Sequence, residues 1–215
     1  LPLTAALPDA VTAGRRTVAV RIPDHPAALA LIRAAGAPLV APSANRSGRP
    51  SPTTWQAVRD DLDGRIDAVL TGAPTRVGLE STVVDVTGDV PVVLRPGAVT
   101  LADLRRVAPD TREATVHDDL ARSPGTRHRH YAPRARVRLV DLPDPAAEGA
   151  YIGLDPPGAG YALAETCASV EDYARAAFAF FRRADDLGVA RIDVQRVPDD
   201  GLGRALMDRL RRAAE

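Results

Sequence analysis

The chain has 215 residues, of which 28 are basic and 28 acidic, so its formal net charge at pH 7 is zero. All the basic residues are arginine, and the absence of lysine excludes a Schiff base or a phosphate-loop lysine within these residues. The apolar fraction of 45% is typical of a folded protein, and the apolar runs are far shorter than the roughly 20 residues of a membrane-spanning helix. A balanced charge also argues against a protein devoted to nucleic acid, although a local basic patch stays open. The lone cysteine, Cys167, has no partner for an internal disulfide, which favours a cytoplasmic protein.

The first half of the chain predicts alternating strands and helices. The β-branched and apolar segment Thr17–Ile22 predicts a buried strand, and Asp24 is placed to cap a helix that covers Ala27–Ala35. Thr100 and Asp103 have the spacing of a capping box at the start of a short helix. The remaining elements predicted here are strands at Leu39–Ala41, Ile66–Leu70, Ser81–Val86 and Pro91–Arg95 and a helix at Thr53–Leu62.

The second half, from about Arg136, predicts an open α/β layer because strands alternate with helices. In the last predicted helix Leu202, Leu206 and Leu210 repeat every four residues and form an apolar face. Arg204, Asp208 and Arg212 share another face at the spacing of ion pairs. The predicted strands are Val137–Val140, Ala150–Leu154 and Arg191–Val194, and the predicted helices are Val170–Asp186 and Gly201–Ala214.

The most unusual segment is Ala41–Pro52, with the sequence APSANRSGRPSP. It directly follows a predicted strand, and ligands of α/β sheets bind at the carboxyl ends of strands. Ser43, Asn45, Ser47 and Ser51 supply hydroxyls and an amide, and Gly48 allows close approach of the backbone. The segment therefore favours a phosphate or nucleotide site, with an ordinary capped surface loop as the alternative.

Two further segments place polar groups at strand ends. In GLESTVVD (Gly78–Asp85), Glu80, Ser81 and Thr82 open an otherwise apolar strand, which indicates either a site or a solvated strand end. In LRPG, Arg95 closes an apolar strand and can hold a phosphate through its planar guanidinium, although alone this signal is weak.

The segment SPGTRHRHYAP (Ser123–Pro133) combines a basic strip with one aromatic ring, Tyr131. Such a strip can cover a nucleotide, with cations on the phosphates and the ring or its hydroxyl against the sugar or base. A solvated linker is the alternative. His128 and His130 as a metal pair are disfavoured because no cysteine or third histidine is close in sequence.

Taken together, TVAVRIPDHP, PLVAPSANRSGRPSPT, GLESTVVD, LRPGAVT, SPGTRHRHYAP and GLGRALMDRLRRAA resemble the two-domain form of the L-threonylcarbamoyladenylate synthases, over almost the full chain. The resemblance implies a twisted, open YrdC-like α/β catalytic domain followed by a small Rossmann-like α/β domain. It places the C-terminal portion of the catalytic domain at residues 1–117, an interdomain linker covering the site at 118–135, and the Rossmann-like domain at 136–215.

For function, the resemblance implies synthesis of threonylcarbamoyl-AMP and pyrophosphate from L-threonine, bicarbonate and ATP with Mg²⁺, for the modification of tRNA. It implies ATP contacts at Thr17, Ser43, Ser51, Arg95 and Tyr131. It implies threonine contacts at Arg21, the Ala41 backbone and Ser81, with Asn45 as a further contact. A tRNA threonylcarbamoyl transferase complex is the implied partner downstream, together with a weak contact to tRNA.

Members of this family carry, ahead of the position of Leu1, a segment with a lysine and an arginine for the phosphates and further threonine contacts. A chain that began at Leu1 is therefore expected to show little synthase activity, whereas a longer protein that contains this span is expected to be active. Two other functions stay open at this point. One is an RNA-binding module with a basic patch at Arg127–Arg138, and the other is carbamoyl transfer to a different acceptor.

Overall fold

The computed structural model describes residues 1–4, 7–115, 118, 132–144, 146 and 148–215. The helices are α1 (Asp9–Thr12), α2 (Pro26–Ala35), α3 (Trp55–Leu62), α4 (Leu101–Val107), α5 (Val170–Asp186) and α6 (Gly201–Ala214). The strands are β1 (Val83–Asp85), β2 (Val92–Arg95), β3 (Arg112–Glu113), β4 (Arg136–Val140), β5 (Ala150–Gly153), β6 (Leu163–Thr166) and β7 (Arg191–Gln195).

The C-terminal part of the chain folds around a parallel sheet with the strand order β4-β7-β5-β6. Helices α5 and α6 bring long apolar stripes to the main core, where Phe180, Ile192 and Leu206 are fully buried. Ser169 begins α5 by accepting a hydrogen bond from the Asp172 backbone N–H at 3.1 Å. The predicted bounds of α5 and α6 are confirmed, and so is the mixed α/β fold.

A smaller sheet of the order β1-β2-β3 precedes this domain. Strand β1 pairs antiparallel with β2, and β2 pairs parallel with the short β3, so that all four residues of β2 are buried. Thr100 and Asp103 form the predicted capping box of α4, because each side chain bonds the other residue's backbone N–H. The sequence did not predict α1, β3 or β6, which are only two to four residues long and carry little periodicity.

Three predictions of strands in the first 70 residues are wrong, those at Thr17–Ile22, Leu39–Ala41 and Ile66–Leu70. Thr17 forms only an isolated antiparallel bridge with Pro2, and Ile22 is 85% exposed. A strand exists only when a neighbour accepts its backbone hydrogen bonds, and none of these segments pairs with a strand of the described residues.

The predicted cap of α2 is also wrong. His25, not Asp24, occupies the N-cap position, and no side chain accepts a hydrogen bond there. Pro26 begins the helix instead, because its fixed φ suits the first helical turn and it has no N–H to satisfy. The predicted end of the helix at Ala35 is confirmed, and Gly36 follows it with a left-handed φ of 64°.

Among the described residues, the structure contains no helix with both the length and the apolarity needed to cross a membrane.

Candidate functional site

The Ala41–Pro52 loop is tied to helix α3 through one carboxylate, Asp61. The Arg46 backbone N–H donates to Oδ2 of Asp61 at 3.3 Å, and Nη1 of Arg49 donates to Oδ1 at 2.7 Å. The loop is further closed on itself by Asn45, whose amide nitrogen donates to the carbonyl oxygens of Arg46 and Arg49 at 2.9 and 3.1 Å. The loop is therefore held by specific polar contacts.

Asp61 is completely buried and receives its main counter-charge from the C-terminal domain. Arg182 of α5 donates from Nη1 and Nη2 to the two carboxylate oxygens of Asp61, at 3.2 and 2.7 Å. Burial raises the pKa of Asp61, but the hydrogen bond and charge of Arg182, the charge of Arg49 and the Arg46 N–H together outweigh it, so that the pKa lies below its ordinary value. Asp61 therefore stays ionised as an anchor for the loop.

Glu80 joins the same loop to the GLEST segment and to the C-terminal domain. The Ser51 hydroxyl donates to Oε1 of Glu80 at 2.7 Å. Nε of Arg209, from helix α6, donates to Oε2 of the same carboxylate at 2.8 Å. The side chain of Arg209 is only 1% exposed, so its charge is compensated almost entirely by protein atoms.

The turn that contains Arg95 packs directly against the GLEST segment. Arg95 is buried and donates from Nε and Nη2 to the Ser81 carbonyl oxygen at 3.1 and 2.9 Å. A Cβ at Gly97 would stand 2.3 Å from the Thr82 backbone nitrogen, closer than real contacts allow. Only glycine therefore permits this approach, which brings Arg95 and Ser81 side by side.

The structure thus connects three of the predicted site residues, Ser51, Ser81 and Arg95, through Glu80 and the Ser81 carbonyl. Ala41, Ser43 and Asn45 lie in the loop that leads to Ser51. Thr17 lies opposite Pro2 in the isolated bridge described above, and Arg21 is exposed on the segment that follows. Tyr131 and the basic strip from Arg127 to His130 lie outside the described residues.

One arginine in the described part of the predicted RNA patch, Arg138, has its charge compensated by a buried carboxylate. Arg138 donates from Nε and Nη2 to the two oxygens of the buried Asp193, both at 2.9 Å. The hydrogen bonds and charge of Asp193 raise the pKa of Arg138, so the guanidinium is committed to this pair. Within the described residues, no group of three or more His, Cys, Asp or Glu side chains is arranged to hold a metal ion.

Three residues that make many of the contacts around the loop and the GLEST segment were not predicted from the sequence: Asp61, Arg182 and Arg209. A signal for each was present, because each charge occupies a position of an apolar helical stripe. Arg209 follows Leu202 and Leu206 at helical spacing, and Asp61 follows Ala57 by four residues. A charged residue on a buried stripe indicates a buried polar partner, although the sequence does not say which one.

Fold and site together define a two-domain α/β protein in which the Ala41–Pro52 loop, the GLEST segment and the turn after Arg95 are hydrogen-bonded to helices of the C-terminal domain. A family model described as "Telomere recombination", of the Sua5, YciO and YrdC proteins, matches residues 1–97. A second, "Threonylcarbamoyl-AMP synthase, C-terminal domain", matches residues 99–215. The chain belongs to the two-domain threonylcarbamoyl-AMP synthase family.

Individual relatives agree with this assignment. The threonylcarbamoyl-AMP synthase of Pyrococcus abyssi is 39% identical across 100% of this chain and 68% of its own length. The enzyme of Bacillus subtilis is 39% identical across 97% of this chain and 66% of its own length. The crystal structure of P. abyssi Sua5 complexed with L-threonine superposes with a TM-score of 0.87 at 36% identity, covering 100% of this chain and 68% of that one. The chain thus spans about two thirds of the length of these relatives.

Proposed function

We propose that this chain supplies the loops that bind nucleotide and amino acid in an L-threonylcarbamoyladenylate synthase, which converts L-threonine, bicarbonate and ATP to threonylcarbamoyl-AMP and pyrophosphate. The observation that carries the proposal is the hydrogen-bonded cluster of Ser51, Glu80, Ser81 and Arg95. It unites three of the four segments that the sequence singles out as candidate ligand-binding segments. The names of the relatives point to the same reaction.

In this proposal ATP is contacted by Thr17, Ser43, Ser51, Arg95 and Tyr131. Threonine is contacted by Arg21, the Ala41 backbone and Ser81, and Asn45 adds a contact from the same loop. Arg21 is exposed and its guanidinium suits the threonine carboxylate, since a guanidinium binds a carboxylate through two parallel hydrogen bonds. The L-threonine in the complex of P. abyssi Sua5 supports an amino-acid site in a relative of the same fold.

The reaction requires the protein to position the reactants and does not require it to form a covalent bond with them. The threonine amine adds to bicarbonate with loss of water, and a carboxylate oxygen of the resulting carbamate attacks the α-phosphorus of ATP. The bond between the α-phosphorus and its bridging oxygen to the β-phosphorus breaks, and pyrophosphate leaves. No protein nucleophile is needed, so hydroxyls, amides and guanidinium groups that orient the reactants and offset negative charge are sufficient.

We further propose a metal ion, a cellular location and macromolecular partners for this protein. Mg²⁺ enters as the companion of the triphosphate, because this ion keeps several waters and binds mainly through substrate phosphates. A cytoplasmic location is supported by the lone Cys167, and a weak contact to tRNA and a downstream threonylcarbamoyl transferase complex follow from the product. The division into residues 1–117, 118–135 and 136–215 belongs to the same proposal.

A single-turnover experiment tests the function, with the protein in excess over radiolabelled MgATP so that slow chemistry is also detected. We expect pyrophosphate to appear only when L-threonine and bicarbonate are both present, together with carbon from labelled bicarbonate in a mixed anhydride with AMP. Samples that lack one co-substrate serve as controls. Pyrophosphate that forms regardless of threonine, or ATP that does not bind at all, would contradict the proposal.

A further inference from the structure

Arg209 links the C-terminal domain to two segments of the candidate site. Besides its bond to the Glu80 carboxylate, its Nη2 donates to the Pro96 carbonyl at 3.0 Å and to the Glu80 carbonyl at 3.3 Å. Pro96 directly follows Arg95, and Glu80 directly precedes Ser81. A single buried guanidinium therefore fixes both segments relative to each other.

We propose that Arg209 is a positioning residue for the nucleotide site, and that it acts through Glu80 on the hydroxyl of Ser51. Arg209 holds one oxygen of the Glu80 carboxylate, and the other oxygen accepts the hydrogen of Ser51. This inference rests on the proposed function, because Ser51 matters to a ligand only if the loop binds ATP.

The physical basis is the limited hydrogen-bonding capacity of the groups. A carboxylate only accepts hydrogen bonds, and a serine hydroxyl has one hydrogen to donate. Because that hydrogen is donated to Glu80, the lone pairs of the Ser51 hydroxyl point in a fixed direction. They can then accept a hydrogen bond from a donor on the ligand. Without Arg209 the Glu80 carboxylate would lose its buried counter-charge and its fixed orientation. The Ser51 hydroxyl would then lose its fixed orientation as well.

A second arginine of the C-terminal domain holds the other side of Ser51. Arg182 donates from Nη2 to the carbonyl of Pro50 at 2.5 Å, in addition to its contacts with Asp61. Ser51 is therefore fixed through the residue before it by α5 and through its side chain by α6. The C-terminal domain thereby acts as a support for the nucleotide loop.

The test is a double-mutant cycle of MgATP affinity, measured by calorimetry on the full 215-residue chain. Arg209→Lys keeps the charge but loses the planar fork, and we expect it to weaken ATP binding about fivefold. Ser51→Ala is expected to weaken binding by a similar factor. In the double variant the combined loss of affinity should be smaller than the sum of the two single losses, because Arg209 acts in part through that hydroxyl.

Arg211→Lys, on the same helix, is the matched control. Arg211 is half exposed and pairs with Asp199 at 2.6 Å, so its variant should leave the ATP affinity unchanged. Glu80→Gln can replace Arg209→Lys in the cycle with Ser51→Ala, because Glu80 lies between the other two residues. It is used if urea unfolding shows that Arg209→Lys does not fold.

The outcomes are distinguishable. Additive effects in the cycle, or unchanged affinity in both Arg209→Lys and Glu80→Gln, would overturn this inference and leave the proposed function standing. Wild-type protein that binds no ATP would overturn both.

Discussion

Residues 136–215 and residues 1–97 differ in how they bury apolar side chains. In the C-terminal region Ile152, Phe180 and Leu206 have no exposed surface, whereas Ile22 and Val40 in the N-terminal region expose 85% and 70%. Among the described residues up to 97, the buried hydrophobic side chains are those of Val92–Leu94. Within the described residues, 136–215 share a hydrophobic core, whereas the loops of residues 41–97 meet that core largely through polar contacts such as those of Asp61 and Glu80.

The difference shows where the loops of the candidate site obtain their order. Asp61 and Glu80 fix the loops, and their principal partners, Arg182 and Arg209, come from the two helices of the C-terminal core. Gly78 adds to this contact, because a Cβ at that position would stand 2.5 Å from the Ala174 carbonyl oxygen of α5. The well-packed region therefore acts as a rigid base for the polar one.

The strongest way to break this relationship is to remove the buried carboxylate. Asp61→Ala leaves Arg182 and Arg49 without their partner, and we expect a loss of about 3 kcal/mol in the free energy of unfolding, measured by urea denaturation.

Asp60→Ala, one residue earlier on the same helix, is the control. Asp60 pairs with Arg59 at an exposed site, so its replacement should change stability by less than about 0.5 kcal/mol. Equal losses in the two variants would mean that the contact with α5 does not stabilise the loop.

A smaller effect is expected where backbones meet closely. In Gly97→Ala the new methyl group would press on Thr82 and on the Ser81 carbonyl carbon, 2.7 Å away, which should cost about 1–3 kcal/mol in unfolding free energy. Gly88→Ala is the matched control, because nothing lies within 4 Å of its Cβ position. The free energies of unfolding of both variants are measured by urea denaturation. An unchanged value for Gly97→Ala would show that the turn can move away from the GLEST segment.

The same contrast explains how much of the fold was predictable. The bounds of α5 and α6 were predicted because helix signals are local, as the repeat of Leu202, Leu206 and Leu210 in α6 illustrates. The segment Thr17–Ile22 has the composition of a strand, but strand formation depends on a partner that local sequence does not specify.

The candidate site was predictable in part. The polar loop Ala41–Pro52 pointed to Ser51, and polar residues at two strand ends pointed to Ser81 and Arg95; the structure connects all three through Glu80 and the Ser81 carbonyl. In the last helix the predicted pairing of Asp208 with Arg212 is confirmed at 3.1 Å, whereas Arg204 pairs with Glu113 instead. Arg209 was not recognised, since its partner is 129 positions away in the chain and no periodicity connects the two.

The most direct test of the central claim is a calorimetric titration of MgATP into the wild-type chain and two serine variants. Ser51→Ala removes the hydroxyl that contacts Glu80, while Ser47→Ala removes an exposed hydroxyl from the same loop. We expect Ser51→Ala to weaken ATP binding about fivefold and Ser47→Ala to leave it unchanged. Equal affinities in all three proteins, or equal losses in the two variants, would contradict it.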